Sequence, residues 1–402
     1  MIDIPSNILN IIQNIFSLLF LSVPLGYTIK KIFYNHLFRK SKIEGFHLSK
    51  RYFDSSNDPI IELIRIRSNF INIIGETVYY FKNQNYELDL KFSKQHSSVI
   101  SGTWKNKNDP HHYGEFAWNF NYYSSESRGY WSATKRDGLI EFGRWELKKI
   151  DKNTEAILNS RLFKKMITKK KSSLYDNILQ KHDKEPEKPF GFNGRNYNIM
   201  KNVFNPQFGK IGRPLIIYLL DKYDLSQFKN IIDWGTGCGY YCIEIAFKQK
   251  MLNIESKIIA LESDETTIQC ANDNIMKFLK KEEEIKLIWA NRISSNAFDV
   301  KFDLIIANMP FSKPCYLVDY RRHPMYHCFC SPPELILEIC FEIKNALNNN
   351  GIALLSYADS GDKEFLFACL KILDMNVIEL FRVDKEDGAT DDIFYAYEIK
   401  NK

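Results

Sequence analysis

The chain has 402 residues, of which 45% are hydrophobic and 26% are charged, and it carries a formal net charge of +6. This composition excludes a disordered polymer and a small disulfide-stabilised domain, and the length suits two or three domains with a sizeable core. The mild positive charge permits nucleic acid as a partner without requiring it. All 8 cysteines lie in the C-terminal half, which predicts reduced thiols in a cytoplasmic domain.

The chain begins with an apolar segment, 1–32, that we predict to be a helix that anchors the chain in a membrane. No charged residue occurs between Ile4 and Ile29, and the run is long enough to cross a hydrocarbon core of about 30 Å. Basic residues follow the run, beginning with Lys30 and Lys31, so the positive-inside rule places the remaining domains in the cytoplasm. The alternative is a helix that packs on a wholly cytoplasmic protein.

The next region, 55–150, repeatedly couples a glycine with a following aromatic residue. The pattern recurs in 101–104, 113–118, 128–131 and 142–147, with alternating polar residues around it. Such alternation predicts antiparallel hairpins whose aromatic side chains line one face of a small barrel or curled sheet. These side chains either form the core of that domain or line a ligand cup. No nucleophile and base are paired here, so we expect binding or scaffolding.

Residues 151–190 form a basic stretch that we predict to be a solvated linker. It contains Arg161, Lys164 and Lys165, and the charged, proline-bearing run 181–189. An electrostatic contact with RNA or anionic lipid is the alternative function of this stretch.

The final region, 191–402, contains the most informative motif. An apolar run ends at Asp233, and Gly235, Gly237 and Gly239 follow at alternate positions before helical spacing resumes at Tyr240. This pattern predicts a strand, a tight turn and a helix N-terminus, where the backbone can approach an anionic ligand closely.

Three further apolar runs each end in a polar residue. They end at Glu262, Asn291 and Asn308, and helical patterns alternate with them. Alternating strands and helices predict a doubly wound α/β fold with a mostly parallel sheet. In such a fold, ligands bind at the carboxyl ends of the strands, and an acid about 20 residues after the glycines accepts hydrogen bonds from a ribose.

Together, these motifs resemble the class I S-adenosylmethionine-dependent methyltransferases. The closest resemblance is to the small-domain branch that carries Asn-Pro-Pro-[Phe/Tyr] and methylates adenine N6, guanine N2 or a glutamine side chain. The resemblance covers about residues 200–400 and implies a seven-stranded, Rossmann-like sheet that ends in an antiparallel pair. It also implies S-adenosylmethionine as cofactor and a methyl-acceptor macromolecule, RNA or protein, as partner. The expected cofactor-binding residues are Asp233, Gly235, Gly237, Gly239, Glu262 and Asn291.

The expected catalytic residues are Asn308, Met309, Pro310 and Phe311. The Asn308 side-chain oxygen and the Met309 carbonyl suit the two N–H groups of a conjugated amine, and Phe311 suits stacking on its plane. Pro310 restricts the backbone of the loop. Met309 replaces the first proline of the family motif, so the loop loses one constraint but keeps the backbone carbonyl. Asn291 stands where the family often has an acid.

A cysteine- and histidine-containing segment follows this loop. It contains zinc-type ligands, but it has no C-x-x-C pair and its His327 and Cys328 are adjacent, so we expect no metal. A substrate-facing loop is the preferred interpretation, with Arg321, Arg322 and His323 available to a phosphate or carboxylate.

Two classes of function remain open at this stage. The favoured one is a membrane-tethered N-methyltransferase acting on a planar amine or amide nitrogen. The other is a non-catalytic, membrane-associated sensor or scaffold, in which the β domain binds a ligand or partner and the methyltransferase fold has lost turnover. The departures at Met309 and Asn291 are the features that keep the second class open.

Overall fold

A computed structural model describes residues 43–53, 60–68, 73–80, 88–96, 99–109, 111–120, 126–134, 139–163, 173–279, 285–293, 298, 300–384 and 392–402. The described residues divide into two compact units, one that ends at Ile150 and one that begins at Asp151. In these ranges no helix is long and apolar enough to cross a membrane. The predicted anchor, residues 1–32, lies outside the described residues.

The first unit is a closed barrel of eight antiparallel strands. Its strands are β1 (Gly45–Phe53), β2 (Ile60–Ser68), β3 (Ile73–Tyr80), β4 (Leu88–His96), β5 (Val99–Asn106), β6 (Tyr113–Phe120), β7 (Glu126–Thr134) and β8 (Ile140–Lys149). Each strand pairs with the next, and β1 also pairs with β8, so that the sheet has no free edge. The predicted antiparallel β domain is confirmed, in its barrel form.

The glycine–aromatic repeat has a direct structural reason. Each glycine pairs across the sheet with an aromatic residue of a neighbouring strand. The pairs are Gly102 with Phe116, Gly114 with Trp104, Gly129 with Trp118 and Gly143 with Trp131. A Cβ at Gly129 would lie 2.6 Å from Cδ1 of Trp118 and 1.9 Å from the Ala117 carbonyl oxygen. The repeat therefore packs large rings over positions that have no side chain, which is a known way to stabilise glycine in strands.

A buried ion pair lies inside the barrel. Arg51 donates from Nε to Oε1 of Glu62 at 2.8 Å, and both side chains are almost fully buried. Ser49 and Thr77 donate to the same carboxylate, and the Arg51 guanidinium lies 5.4 Å from the centre of the Trp145 ring. These contacts offset part of the large cost of removing a carboxylate and a guanidinium from water, although Nη2 of Arg51 has no hydrogen-bond partner among the described residues.

Two predicted boundaries need correction. The barrel begins at Gly45, before the predicted start at residue 55, because β1 pairs with both β2 and β8 and so closes the sheet. The predicted linker, 151–190, contains two helices, α1 (Lys152–Leu162) and α2 (Ser173–Lys184). α1 belongs to the second unit, because Arg161 pairs with Asp362 at 2.6 Å and Asp151 pairs with Lys371 at 2.9 Å.

The second unit is a doubly wound α/β fold whose main sheet has seven strands, as predicted. Its strands are β9 (Phe190–Phe192), β10 (Arg195–Tyr197), β11 (Asn230–Trp234), β12 (Lys257–Glu262), β13 (Ile285–Trp289), β14 (Phe302–Ala307), β15 (Leu347–Ala358), β16 (Met375–Val383) and β17 (Phe394–Asn401). Its remaining helices are α3 (Gly212–Lys222), α4 (Tyr240–Leu252), α5 (Glu265–Leu279), α6 (Pro333–Ala346) and α7 (Lys363–Ile372). β9 and β10 form a separate small hairpin.

The order of the strands fixes the position of the site. The main sheet runs β13-β12-β11-β14-β15-β17-β16, with β17 antiparallel to its neighbours, which matches the predicted closing pair. From β11 the chain first moves outward through β12 and β13 and then returns to β14 on the other side. Ligands in open α/β sheets bind at the carboxyl ends of the strands beside such a reversal.

Candidate active site

A cleft of about 390 Å³ lies at the carboxyl ends of β11, β12, β13 and β14. It is lined by the glycine loop after β11, by Glu262, by Asn291 and by all four residues from Asn308 to Phe311. The fold thus brings together eight of the ten residues that the sequence predicts for the site. The exceptions are Asp233 and Gly239, which are not among the residues that line the cleft.

The glycine loop adopts the geometry that the sequence predicts. Gly235, Gly237 and Gly239 have φ angles of 72°, 60° and 82°, a region that favours glycine. The Gly235 and Thr236 N–H groups donate to the Leu261 carbonyl at 2.8 and 3.1 Å, which fixes the loop on β12. A side chain at Gly237 would meet no atom within 4 Å, because this glycine faces the open cleft.

Asp233 lies beneath the loop rather than in the cleft. Its Oδ2 accepts from the Thr236 hydroxyl at 2.6 Å and from the Cys242 N–H at 3.2 Å, and its Oδ1 has no hydrogen-bond partner in the described part of the chain. Burial raises the pKa of the Asp233 carboxyl to about 7. The prediction of a direct cofactor contact is corrected here, since the buried carboxyl joins the loop to the start of α4.

Glu262 ends β12 beside the glycine loop. Its Oε2 accepts from the Gly237 N–H at 3.1 Å, and its Oε1 accepts from the Ser263 N–H at 2.7 Å. The carboxylate is therefore held at the edge of the cleft, where it can also accept hydrogen bonds from a ribose.

Asn291 lies beyond the end of β13 and is exposed at the opposite rim of the cleft. Two neighbouring features escaped the sequence analysis. Arg292 pairs with Glu338 of α6, with an Nη2–Oε2 distance of 2.9 Å, and both residues line the cleft. The exposed Trp289 donates from Nε1 to the Ser263 carbonyl at 2.9 Å. Contacts between residues that are far apart in the chain leave no short-range sequence signal, so neither contact was predictable.

Asn308 is held by a residue that the sequence does not reveal. The buried Ser356 of β15 donates its hydroxyl to Oδ1 of Asn308. An amide oxygen has two lone pairs, so Asn308 retains one acceptor position for a ligand.

The other loop residues lie between the cleft and the core. The Met309 sulfur lies beside Gly235, where an added Cβ would make an ordinary van der Waals contact with it at 3.5 Å. The Phe311 ring packs edge-on against Phe394, with centroids 5.9 Å apart.

The cysteine- and histidine-containing segment contributes different residues from those predicted. His327 and Cys328 line the cleft, whereas Arg321, Arg322 and His323 are not among its lining residues. His323 instead pairs with Asp183 of α2 at 3.3 Å. Burial raises the pKa of the Cys328 thiol to about 12, so this thiol is protonated at neutral pH and is a poor nucleophile.

The cleft fits S-adenosylmethionine on the evidence of its own residues. The space beside Gly237 is open, so a ligand can approach the backbone there. Glu262 and Asn291 offer hydrogen-bond acceptors at the ends of adjacent strands, and apolar residues also line the cleft. A comparison with known protein families gives independent support. Residues 225–388 match the family model of a methyltransferase domain.

This match confirms the predicted methyltransferase domain, and S-adenosylmethionine is its cofactor. Solved structures with a low overall similarity to this chain include three methyltransferases. The ribosomal protein L11 methylase from Lactobacillus delbrueckii subsp. bulgaricus has 16% identity and a TM-score of 0.33, over 49% of this chain and 83% of that chain. The tRNA m1G37 methyltransferase of M. jannaschii has 18% identity and a TM-score of 0.35, over 54% and 57%.

A third solved structure is the magnesium protoporphyrin IX methyltransferase from Synechocystis PCC 6803 with bound SAM. It has 11% identity and a TM-score of 0.33, over 47% of this chain and 77% of that chain. No curated protein matches this chain.

Proposed function

We propose that the methyltransferase domain transfers a methyl group to a planar amine or amide nitrogen. The observation that carries the proposal is the position of Asn308 and Phe311. Both line the cleft that also holds the glycine loop, and Ser356 fixes the direction of the Asn308 amide. When bound, S-adenosylmethionine supplies an electrophilic methyl group.

The residues of the chain would act mainly by positioning the acceptor. A conjugated nitrogen is a weak nucleophile because its lone pair is delocalised. The free acceptor position on Asn308 and the Met309 carbonyl suit its two N–H groups, which aligns the lone pair for in-line attack. Phe311 suits stacking on the acceptor plane. The neutral Cys328 thiol argues against a mechanism that begins with a thiolate at this position.

The test is methyl transfer by the full chain, with tritiated cofactor and cell fractions divided into RNA, DNA, protein and small molecules. We expect an N-methyl product, and we expect Asn308→Ala to lower turnover by about a hundredfold, because the lost interaction orients the acceptor in the transition state. Calorimetry should show an almost unchanged affinity of this variant for S-adenosylmethionine. An O-methyl product, or full activity of Asn308→Ala, would contradict the proposal.

Gly237→Val is the matched variant for the cofactor side of the cleft. Valine is strained at a φ of 60° and places its side chain in the open cradle. We expect loss of cofactor binding in a folded protein. If the wild-type chain itself binds no S-adenosylmethionine, the sensor or scaffold function replaces the enzyme.

The membrane tether is a separate part of the proposal. It is supported by the uncharged run from Ile4 to Ile29 and by the basic residues after it. Carbonate extraction of membranes tests the tether, and release of the full chain into the soluble fraction would contradict it without affecting the proposed chemistry.

A further inference from the structure

The loop from Asn308 to Phe311 also faces a second cavity of about 330 Å³, which we call the acceptor cavity. Asn308, Phe311 and Phe204 line both this cavity and the cofactor cleft. The volume falls in the range of small-molecule sites, which is roughly 300–1,000 Å³. A ligand in the acceptor cavity would therefore contact the same catalytic loop that the proposal places beside the cofactor.

The walls of the acceptor cavity are aromatic and mutually supported. Phe204 packs edge-on against Phe329 with centroids 5.6 Å apart, and Phe208 packs against the His182 ring at 4.8 Å. Phe311 and Phe394 complete the set. Rings that are fixed by other rings offer preformed faces and edges to a flat aromatic ligand.

The charged residues that line the acceptor cavity are basic. Lys181 of α2 and Lys210, which precedes α3, both line it, and none of its lining residues is acidic. Gly212 begins α3 and also lines it. The N-cap residue Ile211 has no side chain that caps the helix, so the first turn of α3 keeps its partial positive charge.

We propose that Lys181 and Lys210 form a phosphate-binding subsite of the acceptor cavity. Ammonium groups are strong, charge-assisted donors to phosphate oxygens, and both lysines line the same cavity as the aromatic side chains. The acceptor is accordingly a flat aromatic group that carries a phosphate, such as a nucleotide unit, and not an uncharged glutamine side chain. This inference rests on the proposed function, because it takes this cavity as the site of the methyl acceptor.

The experiment compares adenosine 5′-monophosphate with adenosine as probes for the full chain. Saturation with S-adenosylhomocysteine first fills the cofactor cleft, so that neither probe occupies it, and calorimetry then gives the two affinities. We expect the nucleotide to bind at least tenfold more tightly than the nucleoside. The difference should shrink as salt is added, because the lysines contact solvent.

The variants identify the source of that preference. In the double variant Lys181→Gln/Lys210→Gln, we expect the nucleotide to bind within about threefold of the nucleoside, with nucleoside affinity unchanged. Lys201→Gln is the matched control, since Lys201 is exposed and is not among the lining residues. Equal binding of the two probes by the wild-type chain, no binding of either probe, or a preference that survives in the double variant would overturn the subsite.

A third probe distinguishes a terminal phosphate from a phosphodiester within a nucleic-acid strand. The dinucleoside monophosphate ApA carries a phosphodiester. If ApA binds as tightly as adenosine 5′-monophosphate, the subsite accepts a phosphodiester of a nucleic-acid strand; if ApA binds only as well as adenosine, the subsite requires a terminal phosphate. The outcome is separable from the proposed function. Lysine-dependent nucleotide binding without any methyl transfer would refute the enzyme only, and N-methyl transfer without phosphate preference would refute the subsite only.

Discussion

Ser356 decides the direction of the Asn308 amide, although the two residues lie on different strands. We expect Ser356→Ala to lower turnover about tenfold, because Asn308 loses the hydrogen bond that orients it. The affinity for S-adenosylmethionine should not change, since Ser356 is not among the cleft-lining residues. Steady-state kinetics with calorimetry measures both quantities.

The control for this prediction is Ser256→Ala. Ser256 donates to Gln249 at 2.8 Å and lies away from the loop, so its loss should leave turnover intact. Unchanged turnover in Ser356→Ala, or an equal loss in both variants, would show that Ser356 does not position Asn308.

The residues of the site differ in how far sequence predicts them. The glycine loop and Asn308 to Phe311 follow from local patterns, because a strand end and a turn leave a signature within a few residues. Ser356 and the pair Arg292–Glu338 do not, because their partners come from other elements. Asp233 was predicted in the right place with the wrong contact, since a carboxylate at a strand end can turn toward a ligand or under its own loop.

Among the elements, β7 carries a tightly packed glycine–aromatic pair. Gly129→Val would force its Cβ against Trp118 and the Ala117 carbonyl, so β6 and β7 must separate. We expect a loss of about 3 kcal/mol or more in the free energy of unfolding of the barrel. Urea unfolding followed by near-ultraviolet circular dichroism measures it.

Tyr130→Val is the matched control on the same strand. Tyr130 is 71% exposed, so this change should stay within about 0.5 kcal/mol of wild type. If the Gly129 and Tyr130 variants were equally stable, the Trp118 ring would not need the space that Gly129 leaves free.

The barrel also shows why closure was harder to predict than its hairpins. Glycine and aromatic residues mark β5 to β8, where each strand pairs with its neighbour in sequence. β1 lies before the predicted start of the domain, and its pairing with β8 joins residues such as His47 and Lys149. Such a distant pairing follows from the curvature of the whole sheet and not from any local motif.

At the scale of the whole molecule, acid should affect the two units differently. Burial lowers the pKa of His47 in the barrel, and of His182 in the second unit, to about 4. The unfolded chain takes up these protons near pH 6.5, so the stability that each histidine contributes is present above pH 6.5 and is lost as the pH falls toward 4. Asp233 acts in the opposite direction, because its raised pKa favours the folded second unit as the pH falls from about 7.

We therefore expect the barrel to lose up to about 3 kcal/mol between pH 6.5 and pH 4, whereas the second unit changes less because His182 and Asp233 oppose each other. Urea unfolding at several pH values, with barrel tryptophans and cofactor binding as separate signals, measures the two units. His47→Gln should flatten the response of the barrel alone. A barrel whose stability is the same at both pH values would contradict the prediction.

The tryptophans that fill the barrel have an optical consequence. Trp118 and Trp145 lie with ring centroids 4.8 Å apart and planes at 83°, and Trp104 and Trp131 lie 6.2 Å apart. Indoles this close share their excited states, so the closed barrel should show paired bands of opposite sign in far-ultraviolet circular dichroism. These four tryptophans lie on β5 to β8, so separating these strands would move the rings apart and abolish the paired bands. The ring cluster thus makes the first unit its own spectroscopic probe, readable without label, ligand or substrate.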